Sequence, residues 1–117
     1  MTKHIRNFVS QNNITLRAPI KEDGATVNAL VAACPPLDQN SLYMNVVQCD
    51  HFAQSCVLAE RDGQALGWIS GHVPPDAPDT LFIWQVAVHR DARGLGLGKW
   101  MLQDLLRQYL LQYLSCF

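Results

Sequence analysis

One stretch constrains the fold more than any other. The apolar run Thr80-Leu81-Phe82-Ile83-Trp84-Gln85-Val86-Ala87-Val88 leads into Arg93-Gly94-Leu95-Gly96-Leu97-Gly98-Lys99. A helical pattern follows, with Met101, Leu102, Leu105, Leu106, Tyr109 and Leu110 along one side. The run is too apolar on both faces for an edge strand, so it is expected to lie centrally in a sheet. A buried strand, a turn with glycines at alternate positions and a helix start together suit anion binding. Small residues let a ligand approach the backbone, and the N–H groups of the first helical turn present the favourable end of the helix dipole.

The remaining elements fit around this unit. Ile14-Thr15-Leu16-Arg17 alternates and ends before Pro19, as a short strand does. Val27, Leu30, Val31 and Cys34 recur at helical spacing until Pro35-Pro36, and acids stand in the preceding turn. Leu42, Val46, Cys49 and Ala53 mark a second helix capped by Asn40 or Ser41. Cys56 to Glu60 and Ala65 to Ile69, joined through Asp62-Gly63, predict an antiparallel hairpin. Residues 1–13 are read as a flexible tail, and 1–117 as one domain, because 117 residues leave no room for a second core.

Composition excludes several classes of function. Apolar residues make up 49% and charged residues 16%, which opposes disorder, and a net charge of -1 provides no basic field for nucleic acid. No stretch resembles a secretory leader or a membrane span, so a cytoplasmic protein that avoids membranes is expected. Cys34, Cys49, Cys56 and Cys116 show no C-x-x-C spacing and are expected to be reduced, with no metal site.

Counting excludes two common phosphate loops. A P-loop would need Gly at Arg93 and Ser or Thr at Trp100, and a dinucleotide fingerprint would need Gly at Lys99. The pattern [Q/R]-x-x-G-x-[G/A] is met instead by Arg93, Gly96 and Gly98, and it resembles the acetyl-coenzyme A signature of GNAT-type N-acetyltransferases. Further segments look like the diaminobutyrate acetyltransferases of ectoine biosynthesis. They are Pro35 to Ser41, His51-Phe52 with Ser55-Cys56, Pro78-Asp79-Thr80, Trp84 to Val88 and Ala92-Arg93-Gly94, within a match spanning Ile14 to Arg107. The resemblance implies an α+β (three-layer α/β) fold with a mixed, mostly antiparallel sheet flanked by helices. It also implies transfer of acetyl from acetyl-CoA to the γ-amino group of L-2,4-diaminobutyrate, without a metal and in a homodimer. Family members continue with a further strand splayed from the Trp84 strand, another helix and closing strands. Gln108 to Phe117 does not look like that continuation, so the chain is expected to be truncated at its C-terminus.

The resemblance assigns Asp38 and Trp84 to the catalytic and substrate site, with Asn40, Ser41 and Tyr43 orienting the substrate. On the residues alone, Asp38 also fits a turn or helix cap, Trp84 core packing, and Asn40 or Ser41 a cap. Val86, Ala87 and Val88 would offer a backbone N–H to the thioester carbonyl. Arg93, Gly94, Leu95, Gly96, Leu97, Gly98 and Lys99 would hold the pyrophosphate, although Lys99 reads equally as a solvated lysine. His51 is a candidate base, with a surface or packing role as the alternative. Another small-amine acetyltransferase of the same fold would keep Arg93 to Gly98 and be indifferent to Asp38, and a CoA-binding module without catalysis would bind CoA without turnover.

Overall fold

A computed structural model describes residues 5–11 and 13–115, with side chains from Asn13 to Gln112. Five strands form one sheet in the order of the chain: β1 (Ile5–Gln11), β2 (Ile14–Arg17), β3 (Val57–Arg61), β4 (Gln64–His72) and β5 (Phe82–Val88). All four pairings are antiparallel. Helices α1 (Gly24–Ala32) and α2 (Leu42–Asp50) come between β2 and β3, and α3 (Leu97–Ser115) follows β5.

Strand alternation divides the core into two layers. Val57, Ala59 and Ile69 face α3, where they meet Leu97, Met101 and Leu105. Leu58, Trp68 and Ala87 face the other way and meet Val27, Leu30 and Val31 of α1 with Cys49 of α2. Close approach on the α3 side depends on Gly67, since a β-carbon there would fall 2.8 Å from Met101.

Arg17 ties the frame together. Its guanidinium donates to Asp23 at 2.7 and 2.9 Å and to Glu60 at 2.8 and 3.3 Å, joining β2 to the turn before α1 and to β3. Burial by itself would lower the pKa of this guanidinium, but hydrogen bonds to the two carboxylates outweigh it, and the net shift is upward. Asp23 also accepts from the Ile20 amide at 2.8 Å.

Four expectations need correction. Residues 1–13 are not all tail: Ile5–Gln11 pairs with β2, and Asn13 turns the chain at φ 62, a conformation Asn tolerates. Met1 to His4 and Asn12, like Cys116 and Phe117 at the other end, lie outside the described residues. The β5 segment is an edge strand among the described residues, with Phe82, Trp84 and Val86 40 to 50% exposed in round numbers (50%, 49% and 41%). Its apolar outer positions are covered only in part, Phe82 by the ring of His72. In α3 only part of the expected stripe is buried, because the sheet contacts Met101 and Leu105 and leaves Leu102, Leu106 and Leu110 exposed. In α2 the inward positions are Asn45, Gln48 and Cys49, and Leu42 is exposed.

The hairpin forms as the residues indicate. Asp62 (φ 53) and Gly63 (φ 78) both take the left-handed conformation that a two-residue turn between twisted strands requires. Cys34, Cys49 and Cys56 are buried, and Cys56 Sγ donates to Gln48 O and Gly71 O.

Candidate functional site

The glycine turn follows β5 through a short 3-10 turn, Arg90–Ala92. Gly94 (φ 84) and Gly96 (φ 73) both occupy the left-handed region, where a side chain would strain the backbone. A β-carbon at either position would meet nothing within 4 Å, so backbone conformation and not crowding selects glycine here. Helix α3 then starts at Leu97, and the Trp100 amide closes its first turn on Gly96 O at 3.0 Å. The preceding amides, of Leu97 to Lys99, have no intrahelical acceptor and lie at the positive end of the dipole. Gly94, Leu95, Gly96, Arg93 and Lys99 are exposed, Leu97 is buried in the α3 core and Gly98 is half-buried. Arg93 braces the turn by donating from Nε to Val88 O at 3.2 Å. An exposed, backbone-lined cradle of this kind fits a pyrophosphate.

The open edge of β5 adjoins the cradle. The His89 amide donates to Leu66 O at 2.8 Å, so strand alternation turns the amides of Val86 and Val88 away from β4. Val88 O accordingly accepts from side chains, those of Arg93 and Cys34. Ala87 faces inward and is buried. The backbone donors that could polarise a thioester carbonyl are therefore those of Val86 and Val88.

A bulge distorts β5 one step further from the turn. The register passes from Ser70 opposite Gln85 to Gly71 opposite Ile83, which makes Trp84 the extra residue. Trp84 lines a cleft of about 200 Å³ with Met44, Gln48, Phe52, Gly71 and His72. The ring of His72 lies between Phe52 and Phe82, with centroids 6.1 and 5.2 Å away.

The loop before α2 lies across this bulge. Gln85 donates from Nε2 to Asp38 O at 2.6 Å and accepts from Asn40 Nδ2 at 3.2 Å. Asn28 of α1 donates to Asn40 O at 2.9 Å and to Asn45 Oδ1 at 3.0 Å, and Asn45 donates to Gln48 at 2.9 Å. Side-chain amides thus join α1, α2, the loop and β5. Reading the sequence missed Asn28, Asn45, Gln48 and Gln85. The one available signal was polar residues at inward positions of a helix otherwise read as amphipathic.

The structure brings some predicted residues together and separates others. Asp38 and Asn40 meet β5 through Gln85 beside Trp84, and Asp38 is exposed. Ser41 caps α2, its Oγ accepting from the Met44 amide at 3.1 Å. Tyr43 is 78% exposed. His51 is exposed near Asp50, at 3.9 Å, on the far end of α2 from the loop. Cys49 is fully buried, and burial, with a smaller contribution from Cys56, pushes its thiol up to about 12. It is protonated at neutral pH and unsuited to nucleophilic attack.

Comparison with known proteins identifies the family. The sequence profile of the acetyltransferase (GNAT) family matches residues 25–116. The L-2,4-diaminobutyric acid acetyltransferase of Bordetella parapertussis is 49% identical over 94 residues, covering 80% of this chain and 50% of the relative. That of Vibrio cholerae is 48% identical, covering 77% and 52%. The chain spans about half the length of the curated relatives it matches. Among solved structures, the diaminobutyrate acetyltransferase of Paenibacillus lautus, in complex with L-2,4-diaminobutyric acid and coenzyme A, is 39% identical with a TM-score of 0.78. That match covers 80% of this chain and 56% of the other. The ribosomal-protein-S18-alanine N-acetyltransferase of Escherichia coli shares the fold at 16% identity and a TM-score of 0.64, covering 82% of this chain and 59% of that one.

Proposed function

The chain belongs to the GNAT acetyltransferase family, and from that premise we propose that it serves the transfer of acetyl from acetyl-CoA to the γ-amino group of L-2,4-diaminobutyrate. The observation that carries this reading is the placement of the Asp38 loop across the Trp84 bulge, beside the open edge of β5 and its glycine turn. Identity of 38 to 49% with proteins named for this activity supports the choice of acceptor.

The chemistry follows from the parts. Amides at the glycine turn and the start of α3 hold the pyrophosphate, and the β5 edge receives the pantetheine arm and thioester. The Val86 or Val88 N–H donates to the thioester oxygen, stabilising the negative charge that develops there. The neutral γ-amine attacks the carbonyl carbon, the C–N bond forms, and the C–S bond breaks. The amine releases a proton and the departing thiolate takes one up. Asp38 attracts the cationic diamino acid, and the exposed face of Trp84 offers a cation–π contact. Asn40, Ser41 and Tyr43 flank the same loop. The protein contributes mainly positioning and electrostatics, which together account for large parts of such rate enhancements.

The same resemblance supports assigning the protein to ectoine biosynthesis in the cytoplasm, as a homodimer. Among the described residues no helix is long and apolar enough to cross a membrane. The test is release of CoA thiol from acetyl-CoA with and without L-2,4-diaminobutyrate. Release that depends on the diamino acid is expected. CoA binding without release would favour a binding role instead.

A further inference from the structure

We propose that Gln85 is a positioning residue for the amine acceptor: its side chain locks the Asp38 loop onto the β5 bulge and so sets affinity for the diamino acid while leaving coenzyme A binding alone. The inference rests on the functional reading above and deepens it.

Gln85 is 8% exposed and follows the bulge residue Trp84 directly. Its amide uses both ends on one loop. Nε2 donates to the main-chain oxygen of Asp38, and Oε1 accepts from the side chain of Asn40, two residues further on. The Asp38 contact, at 2.6 Å, is shorter than any other contact of the loop. The bond goes to backbone and does not engage the Asp38 carboxylate, and Asp38 is exposed. Asn28 fixes the loop from the other side through Asn40 O. Trp84 and Asp38 stand on different elements, and Gln85 is the side chain that bonds one element directly to the other. The glycine turn lies beyond Val88 and makes no contact with this amide among the hydrogen bonds described.

Two substitutions separate positioning from simple structural support. In Gln85→Glu the carboxylate still accepts from Asn40 but cannot donate to Asp38 O. It would also face that oxygen in a buried setting, which raises its pKa. Protonation as the pH is lowered restores a donor, so the defect should fade towards pH 6 when compared with wild type at the same pH. Gln85→Met removes both bonds and offers no such recovery. Loss of one largely buried hydrogen bond predicts a rise of about tenfold in KM for L-2,4-diaminobutyrate in Gln85→Glu at pH 8. KM for acetyl-CoA should stay within about twofold, as expected for a site that shares no hydrogen bond with the amide. In parallel, amide hydrogen exchange of residues 37–41 should accelerate in both variants, while the first turn of α3 keeps its wild-type protection. Equal rises in both KM values, a Gln85→Glu defect that is independent of pH, or unchanged exchange in residues 37–41 would each overturn the proposal. If wild type shows no turnover dependent on diaminobutyrate, the functional reading fails, and the exchange measurement still decides whether Gln85 holds the loop.

Discussion

The two halves of the site are built from different materials. At the glycine turn the groups proposed to hold the pyrophosphate are main-chain amides of residues 94–99, presented by two left-handed glycines and a helix start. At the acceptor loop the corresponding groups are side chains, held by hydrogen bonds among Asn28, Asn40, Asn45, Gln48 and Gln85. A backbone-built site requires only a few residues near one another in sequence and serves any ligand of the right charge. A side-chain site depends on partners as far as 47 residues apart and can discriminate between acceptors. On the proposed function, the first would be common to a superfamily and the second would be where one acceptor is distinguished from another.

The largest effect should come from a change that affects both halves equally. Arg17→Met leaves Asp23 and Glu60 facing a buried gap, and should cost about 3–5 kcal/mol of stability, as loss of one partner from a buried ion pair does. Denaturant unfolding measures it. Coenzyme A and diaminobutyrate binding should then fall together as the folded fraction falls, so a selective loss would break the comparison.

Gly96→Val acts on one half only. A β-branched residue at φ 73 strains the turn by about 1–3 kcal/mol, and relief of that strain disperses the amides. Coenzyme A affinity should drop by at least about tenfold, the equivalent of 1.4 kcal/mol. Hydrogen exchange in residues 37–41 should stay at its wild-type rate. Transmission of the change to that loop would show that the halves are coupled.

The smallest effect concerns the core beneath α2. A thiol with its folded-state pKa raised from 9.0 to about 12 favours the folded state fully below pH 9, and that contribution is lost as pH rises through the folded value. Stability should therefore decline between about pH 9 and 12, with a shallower slope in Cys49→Ala, as followed by thermal unfolding. An unchanged slope would show that Cys49 ionises as readily folded as unfolded.

The same contrast explains what could be read from the sequence. The glycine turn and the Asp62-Gly63 hairpin were legible because left-handed residues leave a local signature. The α2 interior was not, because the inward-facing Asn45 and Gln48 are satisfied through a chain of hydrogen bonds that runs to Asn28 on a different helix. Apolar periodicity therefore found Cys49, and Val46 against Gly24, but set Leu42 inward where Asn45 and Gln48 are buried instead. The β1 strand was missed because Ile5–Gln11 carries no strict alternation, although the left-handed Asn13 between it and β2 is a local turn signal of the same kind as Asp62-Gly63. The β5 segment was correctly read as a strand by its apolar content, but its place at the edge depends on which neighbours exist. Asp38 was singled out through family resemblance alone, since an aspartate in a loop has many ordinary uses.

The most direct test of the divided site compares Asp38→Ala with Gly96→Val, measuring coenzyme A affinity by calorimetry and diaminobutyrate-dependent release of CoA. Removing one charge-assisted contact should lower diaminobutyrate kcat/KM by about tenfold or more in Asp38→Ala, with coenzyme A affinity unchanged. Gly96→Val should show the reverse order, with coenzyme A affinity the first to fail. Loss of coenzyme A binding in Asp38→Ala, or full diaminobutyrate turnover without the Asp38 carboxylate, would contradict the account.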